Sequence, residues 1–111
     1  MLKTIDQRMV KALMGELKSG LEGIYGDRLK GLYLYGSYAR GEADPESDLD
    51  VLIVLEGYDR YSEEIGRTSR LISSLCLKYS VSVSRVFVSE EKWRDYDSSF
   101  LRNARAEAIA A

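Results

Sequence analysis

The feature that most constrains this sequence is a run of apolar residues with two aspartates directly in front of it. Residues 47–55 read SDLDVLIVL, and the apolar run indicates a buried β-strand. A buried carboxylate without a partner costs several kcal/mol, so such a strand has no structural use for paired negative charge. Asp48 and Asp50 are therefore predicted to meet a cation.

The periodicity of the remaining chain predicts further strands and long helices. Residues 3–25 and 61–79 repeat apolar side chains at helical spacing, as amphipathic helices do. Residues 29–36 and 80–89 have the alternation of strands, and residues 98–110 are typical of a last helix. Together with the aspartate-bearing strand, this order predicts an α+β fold in which a small mixed β-sheet packs against helices.

Length and composition limit the functions that the chain can perform. With 111 residues it is expected to form one domain, 1–111, with a single core and no second lobe over a ligand. Its 16 basic and 18 acidic residues give a net charge of −2, which argues against a nucleic-acid partner. The chain has no histidine and one cysteine, which excludes nucleophile–histidine pairs, disulfides and the usual zinc sites.

The first twenty residues, MLKTIDQRMVKALMGELKSG, have charges spread through them and no continuous apolar run. This pattern is typical neither of a signal peptide nor of a membrane span. A cytoplasmic location with no membrane partner is the default expectation.

A Gly-Ser turn follows the first predicted strand. A short helix beginning near Tyr38 would direct free backbone N–H groups at a bound phosphate, and the Ser37 hydroxyl could donate to it. Gly36 allows close approach of a ligand, Gly41 allows the chain to leave the helix with a positive φ, and Arg40 could reach the same phosphates. The alternative is a plain connection between strands with a serine cap.

The two aspartates are spaced to share one face of their strand. Asp48 and Asp50 lie roughly 7 Å apart at Cα in an extended chain, so their carboxylates can converge on one or two hard cations. Mg²⁺ takes one or two protein carboxylates and completes its shell with water and phosphate oxygens. The alternative is an exposed polar strand end. The opposite face is predicted to be apolar, with Leu49, Val51, Ile53 and Leu55.

The turn and the aspartates together form a known pattern. Residues 36–50, GSYARGEADPESDLD, place Asp-x-Asp ten residues after Gly-Ser, with Arg40-Gly41 and Ser47-Asp48 between and beside them. This closely resembles the signature of the DNA polymerase β-like nucleotidyltransferase superfamily. The short length and the order of elements most resemble its minimal nucleotidyltransferase (MNT) branch, and the resemblance covers essentially the whole chain. A polymerase β-like nucleotidyltransferase fold is what it implies.

The resemblance also implies a role for each motif residue. Gly36 and Ser37 would hold the triphosphate of ATP with help from Arg40, and the catalytic residues Asp48 and Asp50 would bind two Mg²⁺ ions. In this superfamily the ions bridge the phosphates and align an acceptor hydroxyl for attack on the α-phosphorus, with release of pyrophosphate.

The next strand departs from the family pattern. Active members generally carry a third carboxylate there, whereas YSVSVSRVFVS contains no acid and has Ser80 or Ser82 near the expected place. A serine hydroxyl is a poor Mg²⁺ ligand and is not a base near neutral pH.

Two functions follow from the resemblance and remain open at this level. The first is Mg²⁺-dependent transfer of AMP from ATP to an acceptor hydroxyl, in the MNT branch a tyrosine of a HEPN toxin, which gives the chain an antitoxin role. The alternative is a catalytically weak or inactive nucleotide-binding module that acts as an antitoxin by complex formation. Both imply a HEPN-type partner protein.

The last predicted helix bears on the partner as well. Its apolar face could dock on another protein, pair with a second copy of the chain, or cover the sheet of its own domain. The residues of this face are Phe100, Leu101, Ala104, Ala108 and Ile109.

Overall fold

The computed structural model describes residues 5–111 and contains helices and strands in alternation along the chain. The helices are α1 (Gln7–Tyr25), α2 (Ser37–Arg40), α3 (Tyr61–Tyr79), α4 (Glu90–Asp95) and α5 (Ser99–Glu107). The strands are β1 (Leu29–Tyr35), β2 (Leu49–Leu55), β3 (Val83–Ser89) and β4 (Ile109–Ala110), and a 3₁₀ turn, Gly26–Arg28, leads into β1.

The four strands form one mixed sheet in the order β3-β2-β1-β4. β1 pairs antiparallel with β2, and β2 pairs parallel with β3. The connection from β2 to β3 contains α3, as parallel neighbours require a crossover. The predicted α+β class with a small mixed sheet is confirmed.

β2 is buried on both faces of the sheet, because alternate residues pack into two separate cores. Leu49, Val51, Ile53 and Leu55 join the core beneath α1 and α3, which confirms the predicted apolar face. Leu52 and Val54 join the second core, which α5 covers with Leu101 and Ala104. Since side chains alternate along a strand, Asp50 lies on the same face as this second core.

The two long helices pack side by side on the first face of the sheet. The prediction for residues 61–79 matches α3, whereas α1 begins at Gln7 because the Asp6 side chain caps it by accepting from Met9 N–H. Residues 3 and 4 of the first predicted helix lie outside the described residues. Nowhere in residues 5–111 is there a helix with the length and apolar character that a bilayer crossing demands.

The predicted helix over residues 98–110 is wrong at its C-terminal end. α5 ends at Glu107, Ala108 is extended, and Ile109 and Ala110 pair with the outer edge of β1 as β4. The unpaired backbone groups of that edge favour strand pairing over the helical propensity of an alanine-rich tail. Of the predicted apolar face, Leu101 and Ala104 cover the chain's own sheet, while Phe100 is 45% exposed.

Candidate active site

The Gly-Ser turn connects β1 to a single turn of helix. Gly36 has φ 77° and caps α2, which begins at Ser37, one residue before the predicted start. Gly41 ends the helix in the left-handed conformation with φ 72°, as predicted. These two glycines adopt conformations that residues with a Cβ rarely adopt, so the local sequence determines the shape of the turn.

The turn lies directly against the second aspartate. Tyr35 and Asp50 are register partners in the antiparallel pairing of β1 with β2, which places Gly36 beside the Asp50 side chain. A Cβ on Gly36 would stand 2.2 Å from Asp50 Oδ2 and 3.1 Å from its Cγ. Only a glycine fits at this contact. The predicted Gly-Ser turn and the predicted aspartate pair are therefore in contact.

The electrostatics of Asp50 disfavour its charged form. Burial raises the pKa of its carboxyl above the usual range, the negative charge of Asp48 raises it further, and the Arg40 guanidinium partly offsets this. Across residues 5–111, neither aspartate accepts a hydrogen bond or forms an ion pair. A half-buried carboxylate next to a like charge is therefore left without a neutralising partner.

This pair of carboxylates fits a hard divalent cation. Mg²⁺ needs only one or two protein carboxylates when water and phosphate supply its other ligands. The described residues contain no cluster of three or more acidic, histidine or cysteine side chains that could hold a metal by themselves. A cation at Asp48 and Asp50 would thus depend on the phosphates of a ligand.

Two serines lie beside the aspartates, one of which the sequence predicted. Leu49 N–H donates to the carbonyl of the predicted Ser82 at 2.8 Å, and β3 runs parallel to β2 with a further serine, Ser84, opposite Asp50. The other predicted serine, Ser80, ends α3 with φ 53°. The register of a parallel pair depends on where the crossover helix ends, which the sequence pattern did not reveal.

A third carboxylate, which no pattern in the sequence indicated, reaches the site from α5. Glu107 Oε1 accepts a hydrogen bond from Gly36 N–H at 2.8 Å, and Oε2 lies 3.0 Å from Arg40 Nη1. The Gly36 amide and the Arg40 guanidinium hold the pKa of Glu107 below its usual range. The predicted nucleotide-binding residue Arg40 also pairs with Glu42, at 2.6 Å.

Two tyrosines flank the site in different ways. Burial and then the Asp50 charge raise the pKa of Tyr35 to about 12, and its ring makes an edge-on contact with Phe100, with centroids 5.7 Å apart. Tyr38, in contrast, packs against the first core, and its hydroxyl accepts from Ile5 N–H at 3.4 Å. Tyr38 is thus a packing residue in this structure.

A cavity of about 1000 Å³ lies on the other side of the turn, between α1, α2 and β4. Its walls are largely apolar and include Val10, Met14 and Leu34. Neither Asp48 nor Asp50 lines it. The candidate site is therefore the open surface at the start of β2 rather than this cavity.

Comparison with known proteins gives a consistent result. The family model "Nucleotidyltransferase domain" matches residues 15–106. A Methanocaldococcus jannaschii protein named "Putative protein adenylyltransferase" is 35% identical over 103 residues, which are 92% of this chain and 93% of that protein.

Solved structures share the same architecture. One, of a "putative minimal nucleotidyltransferase", is 26% identical and superposes with a TM-score of 0.65 over 95% of each chain. Another solved structure is of a tri-AMPylated HEPN toxin of Shewanella oneidensis in complex with an MNT antitoxin. The matching chain in that structure is 14% identical, with a TM-score of 0.59 over 90% of this chain and 69% of that one. The second likeness is one of fold alone.

Proposed function

The chain belongs to the nucleotidyltransferase domain family, and from this premise we propose that it transfers AMP from ATP to an acceptor hydroxyl with the help of Mg²⁺. The observation that carries the proposal is the contact between Gly36 and Asp50, where a Cβ would stand 2.2 Å from the carboxylate. A turn suited to phosphate and a carboxylate suited to a cation touch at this point, as a metal–triphosphate complex requires.

The turn supplies the groups that bind the phosphates. Gly36 N–H and the Ser37 hydroxyl are hydrogen-bond donors for phosphate oxygens, and the Arg40 guanidinium adds a positive charge. Because both ends of α2 are fixed by glycines with positive φ, these donors are preorganised. The donors would hold the triphosphate in one orientation relative to Asp50.

The aspartates supply the negative charge that a cation needs. Asp48 and Asp50 would hold Mg²⁺, and the ion when bound would supply charge neutralisation at the phosphates. The acceptor hydroxyl gives its proton to solvent water, its oxygen bonds to the α-phosphorus, and the bond from the α-phosphorus to the pyrophosphate oxygen breaks, so that pyrophosphate leaves. Ser84 can donate or accept a hydrogen bond beside Asp50 but does not act as a base at neutral pH.

We propose a protein tyrosine of a HEPN-type partner as the acceptor, with an antitoxin role for this chain. The support is the name "protein adenylyltransferase" of the 35% identical relative and the MNT fold shared with the antitoxin bound to a tri-AMPylated HEPN toxin. Asp48 is also exposed at the start of β2, so a partner could present its side chain there.

A second candidate function is a nucleotide-binding module that neutralises its partner by forming a complex. It is favoured by one observation, that β3 (Val83–Ser89), the strand beside β2, contains no acid and has serines at positions 82 and 84 next to the aspartates. In this case nucleotide and partner bind but no bond is formed.

The test is to incubate the protein with Mg²⁺, ATP labelled in its α-phosphate and a purified HEPN-type candidate partner. We expect label on the partner, lost in Asp48→Asn and in Asp50→Asn. Asp59→Asn is the matched control, because Asp59 is an exposed aspartate beyond the far end of β2. A stable complex without any label would establish the binding module instead.

ATP binding itself has a simpler test. A ligand that binds only the folded state at 100 times its Kd stabilises the protein by about 2.7 kcal/mol, which a thermal unfolding experiment detects readily. We expect this stabilisation with ATP and Mg²⁺, and a smaller one after EDTA is added. No shift at millimolar ATP in either condition would contradict nucleotide binding.

A further inference from the structure

The carboxylate of Glu107 occupies the donors that the proposed function assigns to phosphate. It accepts from Gly36 N–H at 2.8 Å through one oxygen and lies 3.0 Å from Arg40 Nη1 through the other. A carboxylate bound by a backbone amide and a guanidinium uses the same two kinds of contact as a phosphate oxygen. The free protein therefore holds one of its own anions where the ligand's anion would bind.

The backbone around Glu107 is fixed on both sides. Glu107 is the last residue of α5, which Leu101 and Ala104 anchor in the second core, and β4 follows at once with Ile109 opposite Leu34. The carboxylate is thus presented to the turn by the fold. Its side chain is 24% exposed, so it has room to swing into solvent on its three rotatable bonds.

From these contacts we propose that Glu107 is an internal competitor of the nucleotide, bound to Gly36 and Arg40 in the free protein and displaced when the triphosphate binds. This inference rests on the proposed function, because it takes Gly36 N–H as a phosphate donor. Glu107 sets the affinity for the nucleotide, since the triphosphate must replace a charge-assisted hydrogen bond as well as bind.

Charge strengthens the competition. Asp48 and Asp50 already concentrate negative charge at the site, and the Glu107 carboxylate adds to the field at Asp50. A triphosphate brings several further negative charges to the same donors. The carboxylate and the phosphate cannot share Gly36 N–H, which is a single donor, and displacement of Glu107 also frees Arg40 from one of its two acidic partners.

The test measures ATP affinity by titration calorimetry, with and without Mg²⁺, in the wild type and in two variants. Glu107→Gln removes the charge, and Glu107→Asp keeps the charge but shortens the side chain by one methylene so that it no longer reaches Gly36. We expect Kd for ATP to fall about three- to tenfold in both variants, in both conditions. The Gly36 amide resonance of the wild type is expected to shift on ATP addition and to start from a different position in both variants.

Glu42→Gln is the matched control, because Glu42 pairs with Arg40 at 2.6 Å and makes no hydrogen bond to Gly36 within residues 5–111. It is expected to change Kd by less than twofold. If Kd for ATP fell as much in Glu42→Gln as in Glu107→Gln and did not fall in Glu107→Asp, the effect would be one of net charge. Direct competition would then be overturned.

The remaining outcomes separate this inference from the proposed function. If the wild type binds ATP and the Glu107 variants bind it no more tightly, the competition is refuted and the proposed function stands. Weaker binding in Glu107→Gln only with Mg²⁺ would make Glu107 a metal ligand and also refute the competition. If no form of the protein binds ATP, both proposals fall together.

Discussion

Gly36 and Asp50 are in such close contact that the first residue of the phosphate-type turn has no room for a Cβ beside the carboxylate. This contact follows from the register that pairs Tyr35 with Asp50. It places a backbone N–H donor at the end of β1 beside a half-buried carboxylate on β2, and most of the expected behaviour of the site depends on this contact.

Gly36→Ala should disrupt the site by two effects at once. The methyl group would push Asp50 away, and the positive φ adds about 1–2 kcal/mol of strain. We expect a loss of AMP transfer of at least about a hundredfold, measured by transfer of label, and a loss of stability in urea unfolding.

Gly41→Ala is the control for the conformational part of that effect. Gly41 also has a positive φ, 72°, but a Cβ there meets nothing within 4 Å. It should lose similar conformational stability and keep far more activity. Equal activity losses in the two variants would show that the contact with Asp50 is unimportant.

Asp50→Asn should stabilise the protein while it destroys the site. Because the folded-state pKa of Asp50 is raised, the stability associated with its neutral form is present below the unfolded pKa and lost as pH rises through the folded pKa. At pH 7 without Mg²⁺ the asparagine variant should therefore melt higher than the wild type, and this advantage should shrink as pH falls through the folded pKa and be lost below the unfolded pKa of about 4. A lower melting temperature of Asp50→Asn than of the wild type at pH 7 would contradict the destabilising effect assigned to the charged Asp50 carboxylate.

Glu107 should show the opposite pH dependence. Its pKa is lowered by Gly36 N–H and Arg40, so it contributes stability above its unfolded pKa and loses that contribution as pH falls through the folded value. The difference in melting temperature between the wild type and Glu107→Gln should be largest near neutral pH, shrink as pH falls below the unfolded glutamate pKa of about 4.3, and vanish once the folded state is protonated as well. A difference that persists in acid would mean that the contact does not depend on charge.

Tyr25→Phe tests the buried contact between the two long helices. The Tyr25 hydroxyl donates to Glu64 Oε1 at 2.7 Å, and Glu64 is only 2% exposed. Without this donor, the Glu64 carboxylate keeps only the ion pair with Arg67 among its contacts within residues 5–111, at 3.5 Å from Nε to Oε1. Because a buried acceptor is then poorly satisfied, we expect the free energy of unfolding in urea to fall by about 1–3 kcal/mol.

Tyr79→Phe is the matched control for that variant. The Tyr79 hydroxyl donates to Glu16, whose side chain is 40% exposed, so water can replace the lost donor. We expect a change within about 0.5 kcal/mol. Similar losses in the two variants would indicate that burial of Glu64 does not govern the cost.

The sequence pattern predicted what is local in this fold. The bounds of α3 follow from helical periodicity, because the helix buries one face against the sheet. The face of the sheet on which each β2 side chain lies follows from the alternation of side chains along a strand. The turn at Gly36 and the short helix after it also followed, since two glycines with positive φ leave few conformations to the residues between them.

What the pattern missed is what long-range pairing decides. β4 has two residues and no period, and its alanine-rich surroundings favour a helix unless the edge of β1 is available. Glu107 reaches Gly36 from the end of α5, between the core contacts of that helix and this pairing. The position of Ser82 and Ser84 beside the aspartates likewise depends on the register between β2 and β3, which no local signal encodes.

The shortness of β4 has a consequence for hydrogen exchange. A strand with two pairs in register with β1, and with Ile109 50% exposed, is held by few contacts and should open locally at far lower free energy than the sheet interior. The amide of Ala111, which donates to the Leu32 carbonyl at 2.9 Å, should therefore exchange with solvent long before those of β2. Each opening would withdraw the segment beside Glu107 from the turn, so that fraying of the tail would add to rotation of the Glu107 side chain as a way to expose the Gly36 amide without global unfolding.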